Sequence, residues 1–287
     1  MPPALPAPAL FRLHRALFAV TVLAVGACTA PAYTPTTRDA HPGRTPSGTT
    51  DSGVVPPSDS TDTAPPAPCP PEMALVSGGG TTVCIDRWEA YIDGWSPYDV
   101  PDGLPIATTG VAMSASGMVP QGYISGSTAA QMCANAGKTL CTLQEWLTAC
   151  SGEPDGSGRT YPYGDEYDPN ACNVTYVGTG EYGHPVCDYF HNCTDVWDME
   201  HMNDPGINQQ PGTEDPAGAN PGCVTPEGVY DQHGNEHEWI DDANGTFKGG
   251  FYADAVLNGP GCSYTTTFHE FTYHDYSTGF RCCKLPD

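Results

Sequence analysis

Cysteine limits what this chain can fold into more than any other residue. Thirteen occur in 287 residues, and twelve of them follow residue 68. They are Cys69, Cys84, Cys133, Cys141, Cys150, Cys172, Cys187, Cys193, Cys223, Cys262, Cys282 and Cys283. An even number is what full pairing requires, and an exported domain meets an oxidising compartment where pairing is the default. Counting alone leaves roughly ten thousand connectivities open.

The expectation of export rests on the first residues. Arg12 and Arg15 supply a positive n-region, and Ala16 to Val25 a short apolar core. That core falls short of the roughly 20 residues a spanning helix needs. The segment closes in Val25-Gly26-Ala27-Cys28, and small residues before a cleavage point are a processing signature. A cysteine directly after them resembles the lipobox of bacterial lipoproteins. The resemblance implies that residues 1–27 are a leader and that Cys28 carries the lipid. The mature chain is then anchored to a membrane rather than threaded through it. Thr29, rather than Asp, after Cys28 favours outer-membrane sorting in a Gram-negative cell. The expected place is therefore the outer membrane or the periplasmic face. Residues 28–68 are dominated by Pro, Thr, Ser, Ala, Gly and Asp, with Tyr33, Val54 and Val55 the only large apolar side chains. Such a stretch buries too little to offset chain entropy and reads as a flexible, disordered tether.

Residues 69–287 remain as one domain. It holds 6 basic and 30 acidic residues and so carries the whole net charge of −24. Nucleic acid is excluded as a partner, because phosphate binding needs clustered Lys and Arg. The carboxylates can solvate the surface or hold hard cations such as calcium. Gly and Pro interrupt nearly every stretch. Strand-like runs are confined to 73–76, 82–85, 228–230, 247–252 and 278–282. Two helices are expected. Over 128–136, Ala129, Met132, Cys133 and Ala136 form one apolar stripe, with Ser127 or Thr128 as cap and Gly137 as stop. Over 143–150, Leu143, Trp146, Leu147 and Cys150 repeat the spacing behind the capping box Thr142-Leu143-Gln144-Glu145. The fold class is α+β: loop-rich, with few short helices and strands.

The second helix and its flanks carry a further resemblance. The run Ala136-Gly137-Lys138-Thr139-Leu140-Cys141-Thr142-Leu143-Gln144-Glu145-Trp146 is similar to the G-K-R-L-P-T-x-x-E-W signature of the formylglycine-generating enzyme, or sulfatase-modifying factor, family. Four blocks follow in that family's order: Tyr161 to Gly164, Ala171-Cys172-Asn173, Gly228 to Trp239, and then Lys248-Gly249-Gly250 with Gly279-Phe280-Arg281-Cys282. Cys69-Pro70 through Asp86 matches the family's opening.

The resemblance implies a disulfide-stapled variant of the C-type lectin fold. It also implies the bridges Cys133–Cys282, Cys150–Cys262 and Cys69–Cys84, leaving Cys141–Cys283, Cys172–Cys223 and Cys187–Cys193. A calcium loop is implied at the side chains of Asp231 and Glu238 and the carbonyls of Gly234 and Glu236. A second is implied at Asn173 and Asp188, with the carbonyls of Val174 and Phe190. Oxygen donors of this kind suit a hard cation. Active members oxidise a protein cysteine to formylglycine with copper held by two cysteines spaced C-x4-C. Soft thiolates select Cu(I). Counted from Gly249-Gly250, Asp254 and Gly259 stand at those two positions. The expected function is therefore a non-catalytic, calcium-stabilised binding or structural module without copper, whose ligand is a protein or a carbohydrate. A formylglycine-generating oxidase is the alternative.

Other constellations read as structural. His233, His237, His269 and His274 are expected to be packed or surface histidines rather than a zinc site. Glu200, Asp204, Glu214 and Asp215 read as a solvated loop. Some of Trp95, Tyr98, Tyr123, Tyr176 and Trp197 could line a binding face.

Overall fold

A computed structural model of the chain describes residues 68–176, 182–267 and 269–287. The expected leader, Cys28 and the expected tether up to residue 67 lie outside the described residues. Six disulfides join Cys69–Cys84, Cys133–Cys282, Cys141–Cys283, Cys150–Cys262, Cys172–Cys223 and Cys187–Cys193, the same pairs that the resemblance implies. Among the described residues, no helix is long and apolar enough to cross a membrane. A set of six bridges is the chemistry of an extracytoplasmic domain.

Two helices dominate. Gly126–Asn135 begins earlier than the sequence suggests, because the Ser125 side chain, not that of Ser127 or Thr128, accepts from the Thr128 amide. Its stripe of Ala129, Met132 and Cys133 is buried. Leu143–Ser151 starts at the expected capping box: Thr142 takes the Glu145 amide while the Glu145 carboxylate takes that of Thr142.

Three small sheets complete the domain. The first is antiparallel, in the order Met73–Gly78, Thr81–Asp86, Cys282–Lys284, Thr139–Leu140. Ala90–Ile92 pairs with Ala112–Ser114. The third runs Thr265–Thr266, Phe247–Lys248, His237–Trp239, Thr278–Gly279, with only the last pair parallel.

Three expected strands are shorter or absent. The run at 247–252 ends at Lys248, because Gly249 and Gly250 take φ of 84° and 75° and turn the chain off the sheet. The run at 278–282 splits into Thr278–Gly279 and Cys282–Lys284, which serve different sheets. Residues 228–230 follow a turn at 226–227 and make only an isolated Val224–Tyr230 bridge. Apolar patterning does not reveal these breaks, since both sides of each break are buried.

One core cluster packs the helix Leu143–Ser151, through Trp146, Leu147 and Cys150, on Val83, Ile85 and Cys283 of the first sheet. A second packs Ala129, Met132 and Cys133 on Trp239, Phe247 and Phe280. Arg281, fully buried, lies among these segments. Its Nε and Nη2 donate to Glu238 Oε2 and Oε1, both at 2.6 Å. Nη1 donates to the Asp86 carbonyl and Nη2 also to that of Tyr230. Trp146 Nε1 adds a third donor to Glu238, at 2.7 Å.

Two stability predictions follow from this packing. Cys133 and Cys282 are 149 residues apart, Cys187 and Cys193 only 6. By loop-closure entropy, replacing the first pair together with Cys141–Cys283, which closes nearly the same loop, costs about 6 kcal/mol, and replacing the second pair about 2 kcal/mol. Urea unfolding of the two alanine variants checks the order. Arg281→Met leaves Glu238 buried without its cation and is expected to cost about 3–5 kcal/mol, and adding Glu238→Leu should restore much of the loss. A single variant as stable as the wild type would show the pair to be dispensable.

Candidate functional site

The segment 231–239 is built around backbone that few residues adopt. Asp231 and Asn235 take φ of 62° and 57°, and Gly234 takes 86°. A Cβ on Gly234 would stand 2.1 Å from the Asn173 carbonyl oxygen, so the close approach requires glycine. The Asn235 amide donates to that same carbonyl. Glu89 holds the next turn, its carboxylate accepting from Asn235 Nδ2 at 2.6 Å and from the Glu236 amide at 3.2 Å.

Of the oxygens expected to hold calcium here, both of Glu238 and one of Asp231 are already engaged. Glu238 receives two bonds from Arg281 and one from Trp146. Asp231 accepts the Gly218 amide at 2.6 Å and feels both Arg281 and Glu238. Burial, opposed by Gly218 and Arg281, raises the Asp231 carboxyl to about 7. An ion between Asp231 and Glu238 would face a guanidinium already paired there, so the Glu238 carboxylate, as placed, does not fit calcium. At the second expected position, Asp188 accepts from Tyr176 and the Tyr182 amide, while the Asn173 amide group donates to Thr213 and Asn235. Val174 packs toward Gly234, and Phe190 stacks edge-on against Tyr189. Among the described residues no three His, Cys, Asp or Glu side chains group as a metal cage.

A groove of about 780 Å³ opens on the other side of this strand. His237 forms part of its floor, with Nδ1 3.1 Å from Ser277 Oγ and Nε2 3.2 Å from Tyr264 Oη. Burial, then His269, depresses His237 to about 3, and burial also lowers His269 and His184 on the same wall. The groove thus presents neutral imidazoles among Phe247, Phe251, Tyr273 and Tyr276. Its rim carries Trp197 and Leu257, 73% and 81% exposed.

Asp254 also lines the groove. It accepts the amides of Val256 and Leu257 through Oδ1 and the Tyr264 hydroxyl through Oδ2. Cys262 is held by Cys150. His233 packs on Tyr161, with ring centroids 5.3 Å apart. Of the aromatics expected at a binding face, Trp197 reaches the groove, while Tyr123 is buried and its hydroxyl donates to the Asp204 carbonyl.

The sequence reading missed one feature. Glu214 is not part of a solvated loop. Its carboxyl oxygens are buried beside those of Glu236, and none of the four has a hydrogen-bond partner. Loop composition marks such a residue as polar and gives no sign of its direction.

No curated protein matches the chain. Two solved structures show weak overall likeness. One is the Major Tropism Determinant U1 Variant, at 12% identity and a TM-score of 0.43 over 77% of this chain, which spans 54% of that protein. The other is PvdO from Pseudomonas aeruginosa, at 14% identity and a TM-score of 0.44 over 73% of this chain and 82% of that one. The sulfatase-modifying factor enzyme 1-like domain matches residues 80–284, from the first hairpin to the last strand, and the chain belongs to that family.

Proposed function

We propose that this protein is an exported, lipid-anchored binding module. In this reading the sulfatase-modifying-factor-like domain takes a protein or carbohydrate ligand in its aromatic groove and does not oxidise cysteine. One observation carries the proposal: all twelve domain cysteines are engaged in disulfides. Copper-cysteine oxidation needs a thiolate pair, because only soft sulfur ligands select Cu(I). At the corresponding positions Asp254 serves a turn, and Gly259 has no side chain. Flat aromatic faces and neutral imidazoles suit ring stacking and apolar contact more than charge recognition. The exposed Trp197 and Leu257 at the rim fit a surface meant to be covered.

Alkylation of the denatured, unreduced full chain followed by mass spectrometry is expected to label none of the twelve domain cysteines. Titration of the native chain with Cu(I) is expected to show no thiolate charge-transfer band. Labelling of Cys262 together with a copper band would replace the binding reading with the oxidase.

Anchoring rests on the lipobox resemblance at Cys28. Cys28→Ser is expected to abolish incorporation of labelled palmitate and to move the chain from the membrane to the soluble fraction. Retention of both label and membrane fraction would refute the anchor.

A further inference from the structure

We propose that Glu214 and Glu236 together bind a hard, oxygen-liganded divalent cation of the calcium class, at a position distinct from the Asp231–Glu238 loop.

Glu236 is fully buried, and neither of its carboxyl oxygens has a hydrogen-bond partner; the same holds for both oxygens of Glu214. The two side chains converge on one small space. A Cβ built on Gly122 would lie 2.9 Å from Glu236 Oε1 and 3.8 Å from Glu214 Oε1. On the far side, a Cβ on Gly279 would lie 1.9 Å from Glu236 Oε2. Two glycines thus leave the room that the Glu236 carboxyl fills. Two carboxylates are both acceptors, so only an added proton or cation can join them.

The charge balance favours the cation. Glu89, Glu214, Asp231, Glu236 and Glu238 act on one another inside the domain, and Arg281 is the one basic side chain among them. Arg281 is already paired with Glu238. The other five basic side chains of residues 69–287 are engaged elsewhere. Arg87 donates to backbone carbonyls, Lys138 to Asp86, Arg159 to Glu227, Lys248 to Thr265 and Lys284 to Asp287. Nothing in the domain itself neutralises Glu214 and Glu236. A single shared proton would partner two of the four oxygens and leave the rest bare. A divalent ion can take all four, and calcium accepts carboxylate oxygens in one- or two-oxygen contact with flexible geometry.

The test is metal content and thermal unfolding of the full chain, purified without chelator. The wild type is expected to retain about one divalent ion per chain. After chelation, millimolar calcium is expected to raise the unfolding midpoint by about 5–10 °C. Glu214→Gln and Glu236→Gln should each lose both the bound ion and the shift, while Glu200→Gln, an exposed acid of the same segment, keeps them. Two results would overturn the site. One is a wild type that holds no divalent ion and does not respond to calcium, which leaves a shared proton between the carboxyls. The other is a calcium shift that survives in both glutamine variants.

Discussion

The domain is organised around a buried guanidinium. A cation taken out of water must be matched both in charge and in hydrogen bonds, or it costs several kcal/mol. Arg281 meets both demands by drawing on distant parts of the chain: the Glu238 carboxylate, the Asp86 carbonyl at the end of the first hairpin, and the Tyr230 carbonyl. Trp146 joins through Glu238 and brings in the second helix. The neighbours of Arg281 in sequence, Cys282 and Cys283, are bridged to Cys133 and Cys141. Strand, helix, hairpin and loop are thus placed by one side chain and its two adjacent staples. Such a pair contributes less to net stability than to fixing which segments meet. In a domain with strands of two or three residues, that selection does what long ladders do elsewhere.

Features encoded locally were legible in the sequence. A capping box needs only Thr142 and Glu145, and a helical stripe needs only Ala129, Met132 and Cys133. Features set by distant segments were not. His237–Trp239 sits inside a sheet with all three residues buried, so the alternation of inward and outward side chains gives no signal. Glu238 therefore looked available as a metal ligand, whereas its commitment to Arg281 depends on where residue 281 arrives. Glu214 looked solvated because its neighbours are polar. Its direction is set by Asn208, which reaches the Tyr276 carbonyl and accepts from Tyr252, holding the 207–214 segment against the core.

At the groove, side chains of the turn that follows Gly249-Gly250 serve structure. Asp254 ties down two amides and a phenol, which fixes the turn that carries Val256 and Leu257 outward. Tyr264 is shared between Asp254 and His237. Asp254, Tyr264 and His237 are therefore satisfied within the protein, His184 Nδ1 is not, and much of what remains for a ligand is aromatic and aliphatic surface. On the proposed binding reading, open apolar faces with few free polar groups suit a ligand held mainly by apolar contact.

The acidic composition has an internal counterpart. With six basic residues against thirty acids, most carboxylates must face water, yet several are buried around one arginine. Their placement matters mechanically. The long loop closed by Cys172–Cys223 is stapled only at its base and by the short Cys187–Cys193 bridge. Glu214 lies toward the Cys223 end of that loop, while Glu236 directly precedes the strand His237–Trp239, beside Gly122 and Gly279. An ion between the two carboxylates would tie the loop to the core at a point no disulfide reaches. It would also offset charge that Arg281, bound to Glu238, cannot neutralise. Placing two bare carboxyls together in a protein interior is unfavourable without such a partner. The same arrangement becomes a cross-link when a hard cation is supplied from outside the cell membrane, where disulfides, too, are the prevailing means of holding a loop-rich domain together.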